Sequence, residues 1–409
     1  MVKRDGTPAP DPCLLDMAPE DELCLLLARG RLPPGADERA QQLLAGALAW
    51  NRVLERLRAH EILPLVCSNL KRLGFPSLPQ PVQAELADYF RSNALRNALF
   101  ATELARVLSL LGAAQVPAMA LKGVPLAESL YGDAAHRVSA DIDILVPTKY
   151  FAQAFQILLS SGYVASFTQP SLAKLVARFG KDCGLSRQDG RFAYPVQLHC
   201  GLIWGGPVER DLLEEIWSEA ERKTFHGVQA FALSAEWEFL YLAVHAARHG
   251  LHPLKWLVDL DRICWRGTID WGDVKEKARL LGWEETIRSS LAGCASLFDT
   301  PIPPIFSVTM SRARRGFDAA PRYDLQILQE TLFSIRLLKP LSQKLRFLAV
   351  RLFIPTPADC QFVSLPSWLF LLYFPLRFFR VVSTTAGWLV LAGANRLLPK
   401  LGFRARATS

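Results

Sequence analysis

The chain has 409 residues, of which 50% are hydrophobic and 21% are charged. This length and composition exclude a globally disordered protein and predict two or three domains with packed cores. The net charge of +8 is concentrated at one end, because residues 338–409 hold ten basic residues and a single acid, Asp359. A uniformly basic nucleic-acid binder, and with it sequence-specific nucleic-acid recognition, is therefore not predicted, whereas a tail that meets an anionic surface is.

Eight cysteines are spread along the chain without a Cys-x-x-Cys pair, and no secretory signal opens it. Scattered single cysteines are typical of reduced, buried thiols rather than of disulfides or zinc sites. We therefore expect a cytoplasmic protein without structural zinc. The basic tail adds association with a membrane as an alternative.

The first quarter of the chain carries helical periodicity. Apolar residues recur at steps of three and four and predict helices over Pro19–Arg29, Ala36–Leu73 and Pro81–Leu111. Pro76 and Pro79 mark a connector before the last of these helices. We assign residues 1–110 to a helical N-terminal region.

A strand, a tight turn and a helix are predicted next. Val116–Leu121 is short, apolar and bounded by Pro117 and Gly123, which indicates a strand that ends in a turn. Gly123 lets the backbone approach a ligand phosphate, and the amides that open the following helix, Pro125–Tyr131, would face that anion. Lys122 has two interpretations: a positive charge on a triphosphate, or a solvated residue at the strand end.

Two carboxylates separated by one apolar residue open the apolar segment Asp141–Val146. On a strand the side chains alternate between faces, so Asp141 and Asp143 point to the same side. Two such carboxylates repel each other unless a cation lies between them, and hard divalent ions bind oxygen ligands in this way. Asp141 and Asp143 are therefore the candidate metal ligands, with Mg²⁺ or Mn²⁺ as the ion.

Arg137 precedes this strand and lies near the expected phosphate position. Its planar guanidinium suits bidentate contacts to phosphate oxygens. The alternative is a salt bridge to Asp133 or Asp141 that only orients the loop.

A hairpin is predicted around Gln188–Gly190, because Asp-Gly is a strong turn signal; it would pair Asp182–Arg187 with Arg191–Cys200. Its second strand carries Gln197 and His199. His199 either contacts substrate or holds the strand in place, and we favour the structural interpretation.

Several of these segments together resemble a known family. They are the Lys122-Gly123 turn, Arg137, the segment Asp141–Val146, Val196–His199, and the pair His245–Gly250 and Leu254–Leu260. The string is similar to a bacterial group of largely uncharacterised proteins in the nucleotidyltransferase superfamily, which includes polymerase beta. The resemblance implies an α+β fold, with a nucleotidyltransferase-like mixed sheet core over residues 111–232 flanked by N- and C-terminal helical regions.

The resemblance also implies an activity: Mg²⁺-dependent transfer of a nucleotidyl group from NTP to an unknown hydroxyl on a small molecule, peptide or protein. Asp141 and Asp143 would be catalytic and hold the ion. Lys122, Gly123 and Arg137 would bind the nucleotide. Dinucleotide-binding and P-loop enzymes are excluded, because no Gly-x-Gly-x-x-Gly follows a strand and no Gly-Lys-Ser/Thr is present.

One position departs from the family pattern. Gln197 stands where the family commonly has a third metal-binding acid, and its neutral amide cannot serve as a general base. Asp182 would replace that acid if the register of the hairpin turns it inward. The alternative function is a catalytically weakened nucleotide-binding protein or a scaffold at a membrane surface.

A helix is predicted over Ser234–Gly250, and His245 and His249 share one of its faces. Ala246 follows the first histidine where a zinc protease requires Glu, which excludes that class. The histidines either contact a nucleobase or acceptor in the cleft, with His199 and Lys255, or simply pack. Asp259 on the next helix is a candidate partner for either histidine. We assign residues 233–337 to a helical domain that completes the cleft.

Residues 338–409 form the basic, apolar tail. Its apolar runs, Gln361–Leu376 and Val381–Ala394, are each shorter than the roughly 18–20 residues that span a bilayer. Aromatic residues beside arginines suit a helix lying on anionic lipid. Packing of the tail on the body of the protein is the equal alternative.

Overall fold

The computed structural model of the chain describes residues 17–383, except 31, 75–77, 166, 168–169, 181, 205–208 and 307–322. The described part before the sheet is helical. Its helices are α1 (Pro19–Ala28), α2 (Ala36–Ala45), α3 (Trp50–Ala59), α4 (Leu63–Arg72) and α5 (Gln80–Ala113).

The single helix predicted over Ala36–Leu73 is wrong, because the chain breaks twice within it. The backbone is extended at Gly46, whose amide bonds to Leu43 O and ends α2. Glu61 adopts a positive φ of 55° between α3 and α4, and this left-handed conformation stops a helix. The three short helices that result pack their apolar faces together in one core.

The centre of the molecule is a seven-stranded mixed sheet in the order β3-β4-β5-β2-β1-β7-β6. Its strands are β1 (Met119–Ala120), β2 (Ile142–Leu145), β3 (Val164–Ala165), β4 (Asp182–Asp189), β5 (Phe192–His199), β6 (Glu221–Phe225) and β7 (Val228–Ala232). The strand β2 runs parallel to β5 and antiparallel to β1. The predicted α+β class with a mixed sheet is confirmed.

The predicted hairpin β4–β5 is present, with Asp189 paired to Phe192 and Gly190 at a φ of +57° in the turn. The hairpin β6–β7 was not predicted. Four of the five residues of β6, Glu221–Thr224, are exposed, so this edge strand lacks the apolar alternation that signals a strand in a sequence.

Helices α6 (Val124–Tyr131), α7 (Phe151–Ser160), α8 (Pro170–Phe179) and α9 (Arg210–Ser218) lie between the strands in sequence. One face of the sheet is apolar: Ile142, Ile144, Val196 and Leu198 are buried in a core shared with α5 and α7. The residues between them in sequence point to the opposite face. That face carries Asp143, Gln197 and His199.

Helices α10 (Ala235–Arg248), α11 (Lys255–Arg266), α12 (Trp271–Leu281) and α13 (Glu284–Phe298) follow the sheet. The side chain of Ser234 caps α10 by accepting from Trp237 N, as predicted from its position. The chain continues through the helices Tyr323–Leu337, Leu341–Phe353 and Pro357–Phe362.

The apolar run Gln361–Leu376 partly packs on the body. Phe370 and Tyr373 are buried in the core that also contains residues of the sheet, whereas Trp368 is 80% exposed. The second run, Val381–Ala394, lies outside the described residues after residue 383. Within the described residues, none of the helices is both long enough and apolar enough to cross a bilayer.

Candidate functional site

The turn after β1 lies directly against the carboxylate segment. Leu121 N donates to Asp143 O over 3.1 Å. Gly123 is the N-cap of α6 with a φ of +83°, and a Cβ added there would lie 3.4 Å from Asp141 O. Since this φ is strained for residues with a Cβ, glycine is what allows the turn to pass so close to Asp141.

The two predicted carboxylates converge on the ammonium group of Lys122. Nζ of Lys122 forms an ion pair with Asp143 Oδ2 and lies 3.5 Å from Asp141 Oδ1. Asp143 is buried on β2, whereas the Asp141 side chain, just before the strand, is 31% exposed. The pair is therefore one sealed and one accessible carboxylate with a cation between them.

His199 is the second partner of the Asp143 carboxylate. The parallel pairing of β2 and β5 sets Asp143 beside Gln197 and Leu145 beside His199. Nε2 of His199 lies 2.8 Å from Asp143 Oδ1, a hydrogen-bond distance. Each oxygen of Asp143 thus has its own partner, Lys122 on one side and His199 on the other.

The pKa values of the two carboxyl groups shift in opposite directions. Burial alone would raise the pKa of Asp143, but the charge of Lys122 and the hydrogen bond with His199 outweigh it and hold that pKa well below its ordinary value. Burial and the neighbouring Asp143 charge raise the pKa of Asp141, and Lys122 offsets only part of this effect. Asp143 therefore stays ionised, and Asp141 is the first of the two to take up a proton.

The hairpin register turns Asp182 toward this face. Asp182 pairs with His199 across β4 and β5, and Gly184 pairs with Gln197. Asp182 Oδ2 lies 3.7 Å from Nδ1 of His199, a buried ring nitrogen without a hydrogen bond among the described residues. The register therefore turns Asp182 inward, as its role as a replacement acid requires. The Asp182 carboxylate is nevertheless separated from Asp143 by the imidazole of His199.

The donor set fits one divalent cation. Two carboxylates aim an oxygen at the same point, and Mg²⁺ is usually bound by one or two carboxylates together with substrate phosphates. The Lys122 ammonium and such an ion would compete for the same oxygens. Nowhere in the described ranges do three or more His, Cys, Asp or Glu side chains gather as a metal site.

Arg137 is engaged elsewhere. Its Nε donates to both oxygens of Asp259 at 3.0 Å and its Nη2 donates to Oδ2 at 2.9 Å, while Tyr131 OH donates to Oδ1 at 2.7 Å. Arg137 is 3% exposed and Asp259 is fully buried. We call Arg137, Asp259 and Tyr131 the sealed cluster.

The salt bridge predicted from Arg137 to Asp133 or Asp141 is therefore wrong, since Asp133 instead accepts from Ala135 N. The partnership predicted for Asp259 with His245 or His249 is wrong for the same reason, because Arg137 and Tyr131 fill its oxygens. A phosphate contact by Arg137 would require it to leave this buried partner, so Arg137 is not part of the site that we propose.

His245 and His249 form a ring cluster with Trp256. The ring centroid of Trp256 lies 4.7 Å from that of His245 and 4.8 Å from that of His249. Tyr241, whose ring is 5.9 Å from His245, lies close enough to the charged site for Lys122 and Asp143 to influence its pKa, which burial raises. Sequence analysis missed Tyr241, which is one helical turn before a predicted residue.

Lys255 does not join the carboxylates. Its Nζ forms an ion pair with Glu61 and lies 3.4 Å from Val138 O. Burial, and the nearby charge of Arg137, lower the pKa of Lys255. Of the predicted site residues, the structure therefore groups Lys122, Gly123, Asp141, Asp143, Gln197 and His199. It places Arg137 in the sealed cluster and Lys255 beside that cluster.

Comparisons with known proteins bear on this geometry. Residues 46–299 match the protein family described as "Uncharacterised nucleotidyltransferase". Among solved structures, a similar chain is an antigenic nucleotidyltransferase-like protein from Paracoccidioides brasiliensis, with 14% sequence identity and a TM-score of 0.30; the match covers 49% of this chain and 96% of that chain. No curated protein matches the chain.

Proposed function

The chain belongs to the uncharacterised nucleotidyltransferase family, and from that premise we propose that it transfers a nucleotidyl group from an NTP to an acceptor hydroxyl with the help of Mg²⁺ or Mn²⁺. The observation that carries the proposal is the convergence of Asp141 and Asp143 on one cationic point beside the Gly123 turn.

The triphosphate binds at the turn. Gly123 and the first amides of α6 offer backbone donors to an anion at a helix N-terminus. Lys122 adjoins this turn, and its ammonium is the positive charge nearest to it among the grouped residues. With a divalent ion bound by Asp141 and Asp143, the Lys122 ammonium would be free to pair with phosphate oxygens beside the turn.

Asp141 and Asp143 would hold the ion. The ion would supply neutralisation of the charge on the phosphate oxygens. His199 keeps Asp143 oriented through the bond to Oδ1, since that oxygen would otherwise lack a partner. The nucleotide would supply further oxygen ligands, as expected for a site with two protein carboxylates.

In the transfer step the acceptor hydroxyl oxygen bonds to the α-phosphorus, the bond from that phosphorus to the bridging oxygen breaks, and pyrophosphate leaves. The hydroxyl proton needs an acceptor, and Gln197 cannot serve, because its amide is neutral. We assign this role to Asp182, whose carboxylate lies 3.7 Å from His199 and whose side chain is 37% exposed.

The test is binding of radiolabelled NTP to the full chain with and without Mg²⁺, together with pyrophosphate release in the presence of candidate acceptors. We expect Mg²⁺-dependent binding that falls at least about 100-fold in Asp143→Asn, since even residues behind a metal ligand contribute 10–100-fold. The matched control is Asp189→Asn, which removes an exposed carboxylate at the turn of the β4–β5 hairpin, away from the site.

Asp141→Asn gives a second reading, because this partly exposed carboxylate can be neutralised with less risk to folding than Asp143. NTP binding that ignores Mg²⁺, or that survives both substitutions, would contradict the proposal.

A further inference from the structure

A cavity of about 340 Å³ opens beside the carboxylate face. Its walls come from α8, β4, the end of α10 and the helices Tyr323–Leu337 and Leu341–Phe353. Its volume lies at the lower end of the range for small-molecule sites. By contrast, a pocket that Asp141 and Asp143 line together with Lys122 encloses only about 10 Å³.

Three arginines from distant parts of the chain line this cavity: Arg248, Arg351 and Arg377. Arg248 Nη2 donates to Glu330 Oε2 over 2.8 Å. Arg377 donates to the backbone oxygen of Arg351 through Nε at 3.1 Å and Nη2 at 3.0 Å. Two of the three guanidinium groups are thus held in place by the protein.

The side chain of Arg351 is different. Within the described residues it makes no hydrogen bond and no ion pair, and the charges of Arg377 and Arg248 add to burial in lowering its pKa. Two acids line the cavity with them, Asp182 and Glu330. Glu330 pairs with Arg248 and lies 3.3 Å from Nδ1 of His249. Arg377 also lies 3.4 Å from Asp359 Oδ2. Arg351 is therefore the lining arginine whose charge is not paired among the described residues, and an anionic ligand would neutralise it.

One wall of the cavity belongs to the strand beside the candidate site. Asp182 and Gly184 of β4 line it, and their partners in the register are His199 and Gln197. A ligand in the cavity therefore contacts the strand next to the one that holds His199 against Asp143. Val176, Phe179 and Phe347 add apolar surface.

We propose that this cavity binds the acceptor, and that the acceptor is a small molecule with a phosphate group, held by Arg351 with Arg248 and Arg377, and an apolar portion. The identification as acceptor rests on the proposed nucleotidyl transfer; the binding of the anion does not. The hydroxyl that receives the nucleotide would then lie toward Asp182, while the phosphate lies toward Arg351.

The first test measures binding of glycerol 3-phosphate to the full chain by isothermal titration calorimetry. We expect affinity to fall at least tenfold in Arg351→Gln. It should be unchanged in Arg346→Gln, which removes the same charge from an exposed position of the same helix. Arg351→Lys, which keeps the charge without the planar fork, should bind with intermediate affinity and supplies the measurement if the glutamine variant unfolds.

A second arm measures sedimentation with phosphatidylglycerol vesicles, because a lipid headgroup offers the same phosphate chemistry. Loss of vesicle capture in Arg351→Gln but not in Arg346→Gln would assign the phosphate to a lipid acceptor, and an effect on glycerol 3-phosphate alone would assign it to a soluble one. If Arg351→Gln changes neither, the cavity is not an anion site and the proposal is overturned.

Asp143→Asn separates this proposal from the proposed function. We expect this variant to lose NTP binding but to keep glycerol 3-phosphate binding. If Asp143→Asn loses binding of glycerol 3-phosphate while Arg351→Gln keeps it, the anion binds at the nucleotide site. That result would overturn the cavity assignment and leave the proposed nucleotidyl transfer intact. If the chain binds glycerol 3-phosphate through Arg351 but binds no NTP, the cavity is an anion site and its ligand is not a nucleotidyl acceptor.

Discussion

The sealed cluster and the candidate site both take residues from the segment 122–143, but the two groups of charge are built differently. In the sealed cluster the Asp259 carboxylate receives donors on both oxygens, and the members Arg137 and Asp259 are at most 3% exposed. At the candidate site a single ammonium, that of Lys122, is shared between two carboxylates, and the Asp141 side chain is 31% exposed.

The difference follows from the two cations. A guanidinium fork matches a carboxylate in two parallel bonds, which holds the pair in one geometry. An ammonium is a point charge on a flexible stem and exchanges its partners more readily. The bidentate pair of Arg137 and Asp259 thus suits an anchor that joins the loop before β2 to α11. The lysine suits a site whose carboxylates must accept another cation.

The largest effect is expected from breaking the sealed cluster. Arg137→Met leaves the Asp259 charge buried with only the Tyr131 hydroxyl as a partner. The free energy of unfolding should fall by about 3–5 kcal/mol, measured by urea denaturation.

Arg91→Met removes an arginine whose ion pair with Asp88 is exposed, and it should cost less than about 1 kcal/mol. A loss in Arg137→Met no larger than in this control would mean that the cluster is not an anchor.

The second prediction tests whether Lys122 and a metal ion compete. Lys122→Met removes a charged hydrogen bond and should lower the free energy of unfolding by about 2 kcal/mol. It should also bind Mn²⁺ about tenfold more tightly without nucleotide, since the carboxylate oxygens no longer hold an ammonium. Electron paramagnetic resonance of free Mn²⁺ measures the affinity.

Arg137→Met supplies the comparison if it stays folded, since it should leave Mn²⁺ affinity unchanged. Weaker Mn²⁺ binding in Lys122→Met would show that the lysine supports the ion rather than competing with it.

The sequence was sufficient for the features that depend on local pattern. Alternating faces on β2 predicted that Asp141 and Asp143 point to one side, the Asp-Gly turn predicted the β4–β5 hairpin, and family membership confirmed the resemblance that these motifs carried. Such signals lie within a few residues of one another, so no knowledge of tertiary packing is needed to read them.

The sequence was not sufficient for partners that are distant along the chain. Arg137 and Asp259 are 122 positions apart, and nothing in the local pattern of either residue specifies the other. The same applies to the cavity: the basic residues after Leu338 are visible in the sequence, but the sequence does not show that Arg351 and Arg377 line one cavity with Arg248. Which cations converge is decided by packing.

The third prediction concerns pH. Because the pKa of Asp141 is raised and that of Asp143 is lowered, Asp141 is the carboxylate that protons and Mn²⁺ contest. Affinity for Mn²⁺ should therefore begin to fall, as pH decreases, above the range of an ordinary aspartate, by up to about tenfold per pH unit. In Lys122→Met the fall should start at still higher pH, because removal of a positive charge raises carboxylate pKa values.

Titration of Mn²⁺ binding against pH in the wild type, Lys122→Met and Asp141→Asn checks this. The last variant should lose the dependence on this group. A pH profile that persists in Asp141→Asn would assign the titration to another residue.

The smallest effect is expected at Gln197. Gln197 is the register neighbour of Asp143 on the same face of the sheet, so Gln197→Glu adds a carboxylate of nearly the same shape beside the ion. We expect Mg²⁺-dependent pyrophosphate release to rise about tenfold, within the range over which groups around a metal affect activity. The new negative charge should also raise the pKa of Asp141 further, so the gain should be larger at alkaline pH.

Gln188→Glu is the matched control, because it adds the same charge at an exposed position of the same hairpin. It should leave the rate unchanged, which separates a local effect from one of net charge. A fall in rate in Gln197→Glu would mean that the neutral amide is required. The site would then function with one ion and two carboxylates, and Lys122 rather than a third acid would be the charged neighbour that Asp143 requires.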